Sequence, residues 1–290
     1  MPMNTPQPAN AVLERLREDR PLLAVELRPP KSDLSAAQSM DTWIDMYHSV
    51  RRLARRDTLI FLTDNAVGEA EEENLRHLVT NLAGDVSTAK LVPFLTCKHT
   101  LEYCMMYADR AVGYGFPALT VLGGDRSVGP PRCLEYAYLL RQRLRGRHPR
   151  LLLGGWANPH ADPVEQVDYL ERDGFTAEFY LTQIVSHHQL GAVERFVGEA
   201  ARRGVECPGV FGVFLYRSGN PQTLNKLASF FPVPTDGIQG DFAAGLTAEE
   251  ICARTILRLR DLGVTKVYVS NLGYARPEVR FRRLLEALED

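Results

Sequence analysis

Eight times along the chain a short apolar run gives way to a stretch with helical periodicity. The runs are predicted strands over residues 22–28, 58–62, 89–95, 118–122, 151–156, 177–182, 209–215 and 264–270. They are continuous rather than alternating, the pattern of strands buried on both faces of a parallel sheet. Helices are predicted over 11–17, 36–55, 71–83, 101–114, 133–147, 164–172, 190–203, 222–230, 248–262 and 279–288. In the longest of them Trp43, Met46, Val50 and Leu53 share one face. No second core and no long linker interrupts this rhythm. Eight βα units in one domain predict a sheet closed on itself, a single (β/α)8 TIM barrel over residues 13–290, with residues 1–12 as a loose tail.

Composition narrows the function. The 290 residues carry a net charge of −2, without the basic field of a nucleic-acid-binding protein. Arginines cluster near residues 51–56 and 141–150, at spacings that predict solvated helix faces. The five cysteines are odd in number and lack CxxC spacing, as expected of a reduced, cytoplasmic protein without structural zinc. No apolar run approaches a membrane span, and no leader is evident. No GxGxxG follows a strand; Gly113 and Gly115 precede one.

In a barrel the carboxyl ends of the strands converge on one site. Here those ends are Glu26, Thr63, Thr96, Asp125, Trp156, Gln183, Tyr216 and Asn271, with no cationic group among these positions. Asp125 follows two glycines, Gly123 and Gly124, which let a ligand approach. It serves equally well as a helix cap in an ordinary βα turn. Glu26 interrupts an apolar strand, which is costly unless the carboxyl is paired or used. Arg28, two residues on and on the same face, is its candidate partner; general acid chemistry is its candidate use. Trp156 and Tyr216 suit a flat heterocycle, and Gln183 has both a donor and an acceptor for its edge. His160, His187 and His188 lie in nearby loops, but the strand ends lack the His/Asp/Glu set of a catalytic metal, so none is expected.

With these residues placed, the chain resembles the methylenetetrahydrofolate reductase family from about residue 22 to residue 285. The resemblance rests on Ala24-Val-Glu-Leu-Arg-Pro-Pro-Lys31, Leu62-Thr-Asp-Asn65, Leu95-Thr-Cys97, Leu122-Gly-Gly-Asp125, Trp156 through His160 to Asp162, Leu181-Thr-Gln183, and Pro208-Gly209 with Val213 and Tyr216. It implies reduction of 5,10-methylenetetrahydrofolate to 5-methyltetrahydrofolate with NADH or NADPH. By the same resemblance Glu26 is the general acid, and Asp125 holds the pterin and stabilises positive charge. Gln183 also holds the pterin, Tyr216 stands at a stacking position, and Arg276 is the candidate contact to the folate end. Thr63, Thr96, Trp156 and His160 remain for a cofactor.

The departures concern flavin. The family's usual members carry FAD, yet their His before Leu-Thr-Cys is Phe94 here, and their Arg before Gly-Asp is Gly123. Their strand-five Tyr is Trp156, and Glu171 and Arg172 occupy the region of a diphosphate-binding Lys. A diphosphate needs donors or cations, so FAD is expected to bind weakly or not at all. A barrel flavoenzyme acting on another substrate, and a non-catalytic folate-binding barrel, are the alternatives.

Overall fold

A computed structural model describes residues 8–30, 34–63, 75, 79–80, 86–125, 129–273 and 275–289. The strands are β1 (Leu22–Leu27), β2 (Ile60–Leu62), β3 (Leu91–Thr96), β4 (Ala118–Leu122), β5 (Leu152–Ala157), β6 (Phe179–Val185), β7 (Gly209–Phe214) and β8 (Lys266–Ser270). Each pairs in parallel with the next, and β8 pairs with β1, so the sheet is a closed barrel. This is the (β/α)8 barrel expected from the strand count. The helices are α1 (Pro8–Arg17), α2 (Ala36–Ala54), α3 (Leu101–Gly113), α4 (Ala137–Arg147), α5 (Pro163–Glu171), α6 (Leu190–Arg203), α7 (Pro221–Ala228), α8 (Thr235–Ala243), α9 (Ala248–Asp261) and α10 (Pro277–Glu289). Most of the helix expected over 71–83 lies outside the described residues, as do Lys31, Asp64 and Asn65.

Alternation along the strands divides the core in two. Outward residues such as Leu23, Val25, Ile60, Leu95 and Val269 pack against the helices. Inward residues such as Ala24, Phe61, Phe94, Phe179, Phe214 and Tyr268 fill the barrel. The interior is crowded with rings, and small residues opposite them make the room. A Cβ on Gly212 would lie 2.5 Å from the Tyr268 hydroxyl oxygen. That hydroxyl donates to the Thr182 carbonyl at 2.7 Å, so the ring cannot swing aside without breaking a buried hydrogen bond.

Two expectations are corrected by the packing. Residues 8–12 belong to α1 rather than to a loose tail. Val12 and Leu16 are 1% and 2% exposed and join the inner cluster. Arg15 anchors the helix through Asp57 (2.9 Å) and the Pro21 carbonyl (2.8 Å). The apolar residues of this helix had a barrel interior to cover, which no local pattern shows. Arg141 does not sit on a solvated face. It is 2% exposed, donates to the carbonyls of Phe175 (2.8 Å) and Val121 (3.3 Å), and lies 4.8 Å from the Phe175 ring centroid. Burial lowers its pKa to about 10. A third element went unforeseen: α8, whose Gly237 and Gly240 disfavour a helix but whose Ile238 is fully buried. No described helix is long and apolar enough to cross a membrane.

Gly212→Ala is expected to destabilise the fold by about 1–3 kcal/mol through overpacking against Tyr268. The shift of the urea unfolding midpoint at constant slope measures it, and an unchanged midpoint would show that the ring is free to move.

Candidate functional site

Glu26 owes its position to barrel closure. Leu22 and Ala24 face inward on β1, and Glu26 continues that face at the carboxyl end. The β1–β8 register pairs Ala24 with Tyr268 and Val25 with Val269, which brings Glu26 beside Ser270. Ser270 Oγ donates to Glu26 Oε1 at 2.8 Å. Burial raises the Glu26 pKa, against the weaker opposing effects of Arg28 and the Ser270 hydrogen bond. Among the described residues Arg28 makes no ion pair with Glu26; it is exposed and acts through space. The pairing proposed as the structural alternative is therefore not formed.

A cleft of about 250 Å³ opens at this carboxyl, and Arg28, Ser49, Arg217, Asn271 and Gly273 help to line it. Asn271 takes a left-handed φ of 69° and donates from Nδ2 to the Leu215 carbonyl at 2.9 Å, which braces the rim between β7 and β8. Arg28 and Arg217 are both exposed. The arrangement joins a carboxyl that tends to keep its proton to two cations able to grip an anion.

On the other side of the rim, β3 and β4 form a second group. Thr96 is 4% exposed, and its Oγ1 accepts from the Lys98 backbone N–H at 3.4 Å. Asp125 is exposed, following Gly124 with its φ of 75°. The strand-end positions carry no cation, but the loops beside them bring two. A Cβ on Gly123 would lie 2.6 Å from the Arg132 guanidinium carbon, so Arg132 fills the space of the missing side chain. Lys98 passes over Gly124 in the same way. Both cations are engaged by carbonyls: Lys98 Nζ donates to Pro130 at 2.9 Å, and Arg132 donates to Glu135 at 3.2 Å and to Gly124.

The third group joins β5 and β6. Half-buried Trp156 packs on the inner cluster. His160 Nε2 lies 2.8 Å from the Ile184 carbonyl. Gln183 lies within β6 rather than beyond it, where the register to β7 shifts between Leu181 and Ile184. Its Oε1 accepts from the Ile184 N–H at 2.9 Å, so the carbonyl end is occupied within the chain.

Thr63 is half-buried beside β1, its N–H donating to the Leu27 carbonyl at 3.0 Å. Arg276 is exposed, with φ 51°, and lies outside the Glu26 cleft. Tyr216 departs from its expected stacking role. It is 3% exposed, its ring lies 5.0 Å from Phe214, and its hydroxyl has no hydrogen-bond partner among the described residues. Burial raises its phenol pKa. A ring covered to this extent has no face to offer a ligand.

Sequence reasoning missed Ser270, Lys98, Arg132, Arg217 and Asp241. Arg217 had a signal, since it lies just beyond the seventh strand, next to Tyr216. Asp241 had none. It is 7% exposed on α8 and meets His187 and His188 from the turn after β6. Burial, reinforced by His188, lowers the His187 pKa to about 4.

Fold and rim together define a (β/α)8 barrel with its candidate site at the carboxyl ends of the strands. No protein-family model matches the chain, and no curated protein matches its sequence. Solved structures do match. A protein described as an uncharacterized protein from Clostridium thermocellum that binds two copies of 5-methyl-5,6,7,8-tetrahydrofolic acid superposes with a TM-score of 0.63 at 15% identity, covering 97% of each chain. Rhizobium etli pyruvate carboxylase T882A matches with a TM-score of 0.58 at 13% identity over 99% of this chain but only 28% of that one. The Y628A carboxyl transferase domain of the same enzyme gives 0.57 at 14%, over 99% and 50%. At these identities the likeness shows the fold.

A half-buried acid whose pKa is raised by desolvation keeps its proton in the folded state at pH values where the unfolded chain has lost it. Its contribution to stability therefore falls as pH rises from the ordinary carboxylate range through the raised value. Glu26→Gln, neutral and close in shape, is expected to match wild type near pH 4 and to melt at a higher temperature at pH 8. Equal melting temperatures at both pH values would show that Glu26 is well solvated.

Proposed function

We propose that the protein reduces 5,10-methylenetetrahydrofolate to 5-methyltetrahydrofolate with NADH or NADPH. The observation that carries this reading is Glu26, a carboxyl disposed by burial to hold its proton at the carboxyl end of β1 and facing a cleft. Opening the substrate's five-membered ring breaks the bond between the one-carbon unit and N10, and the departing nitrogen needs a proton. Glu26 supplies it. The cation left on N5 and the one-carbon unit is stabilised by carboxylate, the role we give Asp125. Gln183 holds the pterin edge through its amide nitrogen, its oxygen being already occupied. Arg28 and Arg217 provide the positive charge that the glutamate carboxylates of a folate require. The folate bound by the Clostridium thermocellum barrel supports the substrate class.

NAD(P)H supplies the reducing equivalents. We further propose that they reach the substrate without flavin. Phe94, at the position of the family's His, is 6% exposed inside the barrel. The cations that occupy the space beside Gly123 and Gly124 donate to backbone carbonyls. That leaves fewer donors for a diphosphate than the resemblance would require.

Purified protein is expected to be colourless and to oxidise NAD(P)H only when methylenetetrahydrofolate is present, with sequential kinetics and no gain from added FAD. Glu26→Gln should lower turnover by about a hundredfold or more. Yellow protein, or activity that depends on FAD, would overturn the flavin-free route. Folate binding without any substrate-dependent oxidation would leave a binding protein.

A further inference from the structure

His187 and His188 lie in the 3-10 turn between β6 and α6, and Asp241 reaches them from α8. None of the three lines the Glu26 cleft. Among the described residues this is the one group of three or more His, Cys, Asp or Glu side chains whose ligand atoms converge, all within 4.8 Å of one another.

We propose that His187, His188 and Asp241 bind one divalent first-row transition-metal ion, with water completing its coordination. The geometry is the first support. Both Nε2 atoms approach the same carboxylate oxygen, Asp241 Oδ2, at 3.0 Å from His187 and 2.8 Å from His188. Ligands about 2.1 Å from a common ion lie about 3.0 Å apart at right angles and about 3.4 Å apart at a tetrahedral angle. The shorter spacing suits each imidazole lying cis to the carboxylate on a six-coordinate ion, as in a two-histidine, one-carboxylate site. Two imidazoles select such an ion over calcium or magnesium.

The surroundings are the second support. His187 Nδ1 lies 2.8 Å from Thr255 Oγ1, and Thr255 is 3.2 Å from the Ile251 carbonyl. An outer hydrogen bond of this kind orients a ligating imidazole and directs its other nitrogen at the metal. Arg254 donates to Oδ1 of Asp241 at 2.9 Å, which fixes the carboxylate and leaves Oδ2 to the ion. Its charge opposes a cation, but its side chain is 46% exposed and therefore screened. Gly237 makes room for the His188 ring, since a Cβ there would meet ring atoms at 2.5 Å. The His188 side chain is 27% exposed and gives the site its opening to water.

The test is a titration of untagged full-length protein, stripped with chelator, with Co2+ while visible absorbance and melting temperature are recorded. We expect saturable binding of one Co2+ per chain, weak bands of six-coordinate cobalt, and a rise in melting temperature that chelator reverses. His188→Gln, at a partly exposed ring outside the core, should weaken binding by about a hundredfold. Thr255→Val keeps all three ligands and should weaken it by about tenfold. An absence of saturable binding by the wild-type chain would overturn the proposal and leave a hydrogen-bonded cluster. Binding of equal strength in folded His188→Gln protein would also overturn it, because the ion would then sit elsewhere.

Discussion

Pairing of β8 with β1 is the constraint on which the rim depends. It removes the sheet's free edges and sets a register between segments at opposite ends of the chain. That register places Ser270 against Glu26 and makes the carboxyl part of a barrel mouth rather than of an exposed strand end. Desolvation then raises its affinity for a proton, while the Ser270 hydroxyl gives the charged form only partial compensation. The acid is tuned by closure of the sheet more than by any neighbour in sequence.

The same closed interior shapes β6. Tyr268 fits because Gly212 opposite it has no side chain, and its hydroxyl holds the Thr182 carbonyl. Thr182 Oγ1 in turn accepts from the Gly212 N–H at 3.1 Å. These bonds flank the register shift between β6 and β7. Such irregularities re-aim side chains near functional sites, and here the shift turns Gln183 back onto the Ile184 amide. Packing of rings in the barrel thus reaches the rim through one strand.

Charge arrives at the rim from the loops. Lys98 and Arg132 fold back over Gly123 and Gly124, and Arg217 leaves β7 at the edge of the Glu26 cleft. The excursion between β7 and α9 buries Tyr216 and carries Asp241 to His187 and His188. The loops therefore decide which strand-end residues face solvent, which are covered, and which find a counter-charge.

The local pattern was enough to read the barrel, most of its described helices, and the place of Glu26 within the first strand. Buried parallel strands are continuous apolar runs, so a carboxylate inside one is conspicuous, and eight such runs with intervening helices have one common closed arrangement. The amphipathic face of α2, with Trp43, Met46, Val50 and Leu53 buried, was legible for the same reason. Tertiary structure alone decided the rest. The partner of Glu26 lies 244 residues away. Arg132 occupies the space at Gly123 only because its loop returns over β4. Helix α8 holds despite its two glycines because Ile238 and Asp241 are buried. Sequence period reports which face of an element is apolar. Which groups meet across that face depends on register, loop return and volume, and these exist only once the sheet has closed.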